Sequence, residues 1–310
     1  MSEGGAGARG WGAILGLTLV AATMSPLQPL LLIVVPLGFL MVGLEPRRPW
    51  LVAVGVLLAL APLIGGPTGP LWYIERGWVY ALGGSFLAAA VAVPAAGFLL
   101  RGLLGVGAAS VLAGAILVLT PDGWARTDGV IGSRVRASAS QMAVAWSEAG
   151  ADRFLGDVAD AARRAAELQA LLYPGMIGLA SLAALAIGWW AWSRVVANRP
   201  RPLAPLREFR FPDDLVWLFV VALALVLLPL GQEATRAGSN LALFMGGLYA
   251  LRGLAVALSV ATPAGPWLAV LAGLAAVLLY PLALSVALAL GLSDTWVDYR
   301  TRRRGAASRS

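Results

Sequence analysis

The sequence contains no cysteine and no histidine among its 310 residues. Disulfides, iron–sulfur clusters, thiolate or histidine zinc sites and histidine-ligated haem are therefore excluded within this chain. A cysteine nucleophile and an imidazole base are excluded too. Only carboxylate, hydroxyl, tyrosine and guanidinium groups remain for chemistry, and no apolar segment carries a pair of acids. We expect a protein that is not an enzyme and that binds no cofactor or metal.

Lysine is also missing, because all 23 basic residues are arginine. The net charge is +7, although charged residues make up only 13% of the chain. In a soluble protein this balance would favour nucleic-acid binding. Here the arginines flank apolar segments, where they are expected to meet anionic lipid on the cytoplasmic side, so no nucleic-acid partner is expected. The abundance of Ala, Gly, Leu and Arg indicates a GC-rich bacterial genome and hence the bacterial inner membrane.

Long apolar runs dominate the sequence, which is 59% hydrophobic with a mean hydropathy of +0.80. Several runs are long enough to cross a hydrocarbon core of about 30 Å. We therefore predict an all-α polytopic membrane bundle that forms a single membrane domain over residues 1–310. The predicted apolar segments are 11–43 (broken near Pro26 and Pro29), 50–64, 78–100, 102–120, 171–192, 215–230, 240–261 and 267–292. A loop at Pro67 and Pro70 is expected to carry Glu75 and Arg76.

The arginine clusters constrain the number of spans, because positive charge marks the cytoplasmic side. Two segments separate Arg48 from Arg101, and two more separate Arg101 from Arg194, so these arginines all lie inside. Three segments separate Arg210 from Arg300, which would place the tail outside. A re-entrant hairpin at Pro281 would restore agreement with the rule. The predicted total is eight or nine spans.

Three polar stretches are predicted outside the apolar segments. The Arg-rich loop 194–213 and the Arg-rich tail 297–310 are assigned to the cytoplasmic side as sites for anionic lipid. Residues 121–170 carry seven acids against six arginines, which is typical of an external loop. From Ala151 onward, apolar residues recur at three- and four-residue steps and predict an amphipathic helix. This helix lies either on the bundle or membrane surface, or over a binding site as a lid.

Arg252 is the first candidate for a functional role, because an arginine inside an apolar segment costs at least about 2.5–3.5 kcal/mol on insertion scales. It could anchor an anionic substrate. Alternatively, it forms a structural ion pair with Glu233, Asp294 or Asp298, or it snorkels to the cytoplasmic surface. The other candidate ligand-binding residues are Asn240, Gln28, where prolines break the first segment, and Asp294.

Several short motifs resemble those of the YybS-like family, a group of bacterial membrane proteins of unknown function. In that family an F-x-x-P element precedes a span, an Asn opens the next helix, a Q-G-L-A element follows, and L-G-x-x-D-x-x-x-D-x-R closes the domain. This chain has Phe211-Pro212-Asp213, Asn240 at the opening position, Arg252-Gly253-Leu254-Ala255 and the ending 290–300. It departs from the family in having Arg252 where glutamine is usual.

The YybS-like family is itself distantly similar to the substrate-binding subunits of energy-coupling-factor vitamin transporters. That similarity implies that small residues of the first helix, here Gly12 and Gly16, contact a transmembrane coupling subunit. The broken first segment, Arg252 and the predicted lid favour a solute-binding transport component. The alternative is a non-catalytic membrane scaffold or partner subunit, for which the polar residues would pair with one another.

Overall fold

The computed structural model describes residues 18, 28–64, 66–148, 164–196, 203–260 and 279–299. These residues are helical with short connections, and no strand occurs among them. The all-helical prediction is therefore confirmed. Residues 164–171 are helical, and 3-10 turns occur at Ala61–Leu63, Leu206–Glu208 and Asp213–Leu215. We number the described α-helices as α1 (Pro29–Leu44), α2 (Pro49–Leu60), α3 (Pro70–Ala92), α4 (Phe98–Leu119), α5 (Gly123–Glu148), α6 (Tyr173–Val195), α7 (Val216–Leu227), α8 (Gln232–Val260) and α9 (Tyr280–Val297).

Prolines set several of the helix boundaries. Helices α1, α2 and α3 each have a proline at the first or second position, where the missing amide hydrogen is not needed by the helix. The predicted loop at Pro70 is therefore wrong, since Pro70 begins α3 and Glu75 and Arg76 lie inside that helix. The predicted span 78–100 is wrong at both ends, because α3 starts eight residues earlier and ends just before Pro94.

Arg101 does not separate two spans, as the sequence had suggested, but lies in the first turn of α4 and is buried. Its Nε donates to the carbonyl oxygen of Val93 at 3.1 Å, and its Nη2 donates to the carbonyl oxygen of Pro94. The guanidinium carbon lies 5.0 Å from the centre of the Trp189 ring. Arg101 thus supplies donors to two carbonyls of the turn between α3 and α4, where the end of a helix leaves carbonyl groups without intrahelical partners.

Most of the predicted external loop 121–170 is helical. Helix α5 runs for 26 residues and buries Ile131 and Val135 on one side. From the sequence these residues were assigned to a loop, and the helix was missed. Ile131 and Val135 pack with Ala166, Tyr173 and Ile177. Of the amphipathic helix predicted from Ala151, only residues 164 onward are described, and these are helical. The remainder lies outside the described residues.

Four described helices are long and apolar enough to cross a membrane, namely α4, α6, α8 and α9. Two shorter apolar helices occupy Pro29–Leu44 and Pro49–Leu63. Helix α7 has 12 residues, hence a length of about 18 Å, so the predicted span 215–230 does not cross as one helix. The segment predicted at 267–292 is described only from residue 279, where α9 begins with Pro281 at its start.

The chain groups into two compact units, Met1–Leu203 and Ala204–Ser310. The single membrane domain over residues 1–310 stays a prediction. In the first unit α1 packs against α2, α3 and α6, and α4 packs against α3 and α6. Helices α1 and α2 touch backbone to backbone, because a Cβ added at Gly38 would lie 2.6 Å from the carbonyl oxygen of Gly55. The core includes Phe86, whose ring meets that of Trp189 edge to face.

The second unit is built on α8, which packs against both α7 and α9. Helices α8 and α9 approach so closely that only glycine fits at their crossing. A Cβ on Gly253 would overlap the carbonyl oxygen of Ala287, and a Cβ on Gly291 would overlap that of Tyr249. Such contact between backbones is typical of membrane helices that pair through small residues.

Candidate functional site

A cavity of about 400 Å³ lies in the first unit, at the end opposite Arg48. Its volume is within the range of ligand pockets in proteins. The wall combines charged and hydrogen-bonding side chains with a few apolar ones, and most of it comes from the start of α3 and the segment before it. The polar and aromatic residues of the wall are Gln28, Thr68, Trp72, Glu75, Arg76 and Arg134.

Two glycines shape the segment that leads into α3. Gly66 has φ +73° and Gly69 has φ +149°, both in the region that side chains with a Cβ rarely adopt. Gly69 is also the residue just before α3, so its conformation sets the direction in which that helix starts. Helix α3 then presents Trp72, Glu75 and Arg76 to the cavity within its first two turns.

Glu75 and Arg76 form a close ion pair in the cavity wall. Arg76 Nη1 donates to Glu75 Oε2 at 2.7 Å, and Arg76 Nε donates to the carbonyl oxygen of Pro62 at 3.1 Å. The guanidinium carbon of Arg76 lies 4.8 Å from the centre of the Trp72 ring. These three contacts hold the guanidinium in one orientation. Charge-assisted hydrogen bonds of this kind are stronger than neutral ones.

Both charges of this pair are largely removed from solvent, since the side chains are 7% and 13% exposed for Glu75 and Arg76. Interactions at partly buried groups are screened less than those at the surface. A charged group that entered the cavity would therefore interact strongly with the pair. Within the described ranges no group of three or more acids is arranged to hold a metal ion.

Arg252 lies in the second unit and is completely buried in α8. Its Nε donates to Asp294 Oδ2 at 3.0 Å, and its Nη2 donates to the Asp294 carbonyl oxygen at 3.2 Å. Its Nη1 donates to Asp213 Oδ1 at 2.7 Å. The ion pair with Asp294, one of the alternatives for Arg252, is thus present. The anion-anchor role stays a prediction.

A more exposed arginine extends this cluster. Arg210 lies 3.2 Å from Asp213 Oδ2 and 3.4 Å from Asp298 Oδ2, so Asp213 joins the two arginines. Burial alone would raise the pKa of Asp213, but hydrogen bonds from Arg252 and Arg210 outweigh burial and hold the pKa below its ordinary value. Asp298, an alternative partner for Arg252, pairs with Arg210 instead.

The predicted site residues fall into different parts of the molecule. Gln28 lines the cavity of the first unit, whereas Arg252 and Asp294 belong to the cluster of the second unit. Asn240 does not open a helix but lies well inside α8, buried, with its Nδ2 donating to the carbonyl oxygen of Arg236 at 2.9 Å. The predicted partner-contact glycines, Gly12 and Gly16, lie outside the described residues.

A comparison with models of known protein families matches residues 13–295 to the family described as "Predicted membrane protein (DUF2232)". The chain belongs to this family. The DUF2232 family has no established function, and the match covers both the cavity residues and the Arg252–Asp294 pair. No curated protein and no solved structure matches this DUF2232 protein.

Five charged residues of these two sites were not identified from the sequence as site residues: Glu75, Arg76, Arg134, Arg210 and Asp213. Glu75 and Arg76 had been placed in a loop. The signal that could have corrected this is Pro70, because a proline before an apolar run favours the first turn of a helix. The sequence offered no comparable signal for Arg134. It lies in the polar helix α5, whose residues were assigned to a loop.

Proposed function

We propose that this protein is a small-solute binding component of a membrane transport system, and that the solute binds in the cavity of the first unit. The observation that carries the proposal is the charged pair Glu75–Arg76, shielded from solvent and set in the wall of a ligand-sized cavity. Burying two charges is costly, and buried ion pairs serve either a binding site or the fold itself. Here the pair lines open space, which favours the first of these roles.

The cavity is proposed to face the outside of the bacterial inner membrane. Arg48 Nη1 donates to the carbonyl oxygen of Val196 at 3.2 Å, so the Arg47–Arg48 loop lies at the same end of the first unit as the C-terminus of α6. This is also the end that carries Arg194. By the positive-inside rule this end is cytoplasmic, and the cavity, at the other ends of α1 and α2, is external.

The finer topology is part of the same proposal. In it, α7 and its flanking residues do not cross the membrane, and the total is eight spans if the broken segment 11–43 crosses twice. The loop 194–213 and the tail 297–310 are then both cytoplasmic. Anionic lipid headgroups would bind those arginines. The YybS-like resemblance and its similarity to energy-coupling-factor subunits support a non-catalytic role beside a transmembrane coupling subunit, with Gly12 and Gly16 at the contact.

The experiment is a thermal-shift screen of the purified full-length protein against charged, zwitterionic and neutral small solutes. We expect a subset to raise the unfolding temperature, and we expect Arg76→Gln to abolish those shifts. Arg126→Gln is the matched control, because Arg126 pairs with Asp122 on the surface of the same unit and does not line the cavity. Shifts that survive Arg76→Gln would place the solute elsewhere.

The alternative function, a membrane scaffold or partner subunit, is favoured by one specific observation. Arg252 is buried with both of its carboxylate partners in place, which is what a structural role requires. Co-purification from native membranes separates the two functions. A stable protein partner in the absence of any bound solute would favour the scaffold, whereas a solute retained through purification would favour transport.

A further inference from the structure

The cavity wall of the first unit contains groups of both charge signs. Glu75 supplies a carboxylate, and Arg76 and Arg134 supply guanidinium groups. Gln28 and Thr68 can each both donate and accept hydrogen bonds. A wall of this composition can form paired contacts with a cationic and an anionic group of one solute.

The orientation of Arg76 leaves room for such contacts. Of its five N–H groups, Nε is directed to Pro62 and one Nη1 hydrogen is directed to Glu75. The guanidinium carbon lies 4.8 Å from the centre of the Trp72 ring, and this cation–π contact involves no acceptor oxygen. Donors at the edge can therefore receive a carboxylate, while Glu75, an acceptor only, can receive an ammonium group.

The competing class is a simple organic anion, because guanidinium groups outnumber carboxylates in the wall. Two features argue against it. Glu75 is the most buried of the charged groups, with its side chain 7% exposed, so an entering anion would meet its negative charge with little screening. Arg134 is exposed, so water weakens its attraction for an anion. A solute whose cationic end lies beside Glu75 avoids this repulsion.

We infer that the cavity takes a small zwitterion, a molecule with one ammonium and one carboxylate group and a short apolar body, such as a free amino acid. The apolar body would contact Ile64 and Leu71, which complete the wall. This inference rests on the proposed function and names the substrate class of the same site. A solute that lacks the ammonium group loses its contact with Glu75, and a solute that lacks the carboxylate loses its contact with Arg76.

The test is equilibrium binding to the full-length protein in lipid nanodiscs, with matched probes. The probes are the proteinogenic amino acids, the amines that lack their carboxylate, the carboxylic acids that lack their ammonium, and neutral sugars. We expect at least one amino acid to bind about 10- to 100-fold more tightly than both its amine and its acid, as the loss of one charge-assisted contact predicts. This comparison uses the unmodified chain, so it does not depend on whether a variant folds.

Variants then assign each charge. Glu75→Gln should equalise the affinities of the amino acid and its carboxylic acid, and Arg76→Gln should equalise those of the amino acid and its amine, while Arg126→Gln should change neither. If the acids, the amines or the sugars bind as tightly as the amino acids, the zwitterion assignment is wrong while the solute-binding function stands. If no probe of any class binds, both the assignment and the proposed function fail.

Discussion

The buried ion pair of α8 and α9 gives the sharpest stability prediction. In Arg252→Met the apolar stem is largely kept and the charge is lost. Asp294, whose side chain is 2% exposed, is then left buried without its cation. Breaking a buried pair in this way costs about 3–5 kcal/mol, or about 10²- to 10³-fold and more in the unfolding equilibrium. Asp213 adds less to this cost, because at 41% exposure water replaces much of what the arginine supplied.

Arg210→Met is the matched control. Arg210 contacts two carboxylates at similar distances, but its side chain is 48% exposed. Because exposed ion pairs contribute about 0–1 kcal/mol, we expect Arg210→Met to lose no more stability than that. The double variant Arg252→Met/Asp294→Leu should recover much of the loss, since replacing a buried pair by apolar side chains is often close to neutral.

The assay measures equilibrium unfolding in mixed micelles in which the fraction of denaturing detergent is increased stepwise. Tryptophan fluorescence reports the unfolded fraction at each step. The purified full chain is used, because the second unit has not been shown to fold alone. An Arg252 variant no less stable than the Arg210 variant would refute the buried-pair argument. The buried-pair explanation would also be refuted if the double variant lost as much stability as Arg252→Met and Asp294→Leu lose when their separate losses are added.

Three further results are expected. Gly253→Ala should destabilise by about 1–3 kcal/mol or more through the clash with α9, whereas Gly246→Ala, with open space around it, should be neutral or slightly stabilising in the same unfolding assay. Because its folded pKa is lowered, Asp213 stabilises the fold above the ordinary aspartate value of 3.8 and loses that contribution as pH falls below it, so Asp213→Asn should flatten the decline in a pH titration of stability. Ser181→Ala should cost about 1 kcal/mol in thermal unfolding, since the indole N–H of Trp78 donates to Ser181 Oγ at 2.9 Å; an unchanged midpoint would contradict this.

Composition alone was sufficient to predict the helical membrane class, because apolar runs of this length have few other solutions. Helix ends were predicted less well. The segment 78–100 was placed by its hydropathy, but hydropathy does not register that Pro94 stops a helix two residues earlier. In the same way, the polarity of 123–148 concealed a helix that is half solvated and buries only one side.

The residues of the candidate sites were likewise predictable only in part. Arg252 could be recognised because a guanidinium in an apolar run needs a partner, and Asp294 was among the partners named. Asp213 could not be inferred, since its approach to Arg252 depends on how the turn before α7 folds back on α8. The cavity could not be inferred either. It depends on residues distant in sequence, Gln28, Glu75 and Arg134, that only tertiary packing brings together.

The glycine crossing of α8 and α9 has a mechanical consequence. Where two backbones touch at Gly253 and Gly291, neither helix can slide or rotate against the other without a collision between main-chain atoms. The two helices therefore form one rigid pair, and any movement within this unit has to leave their crossing unchanged.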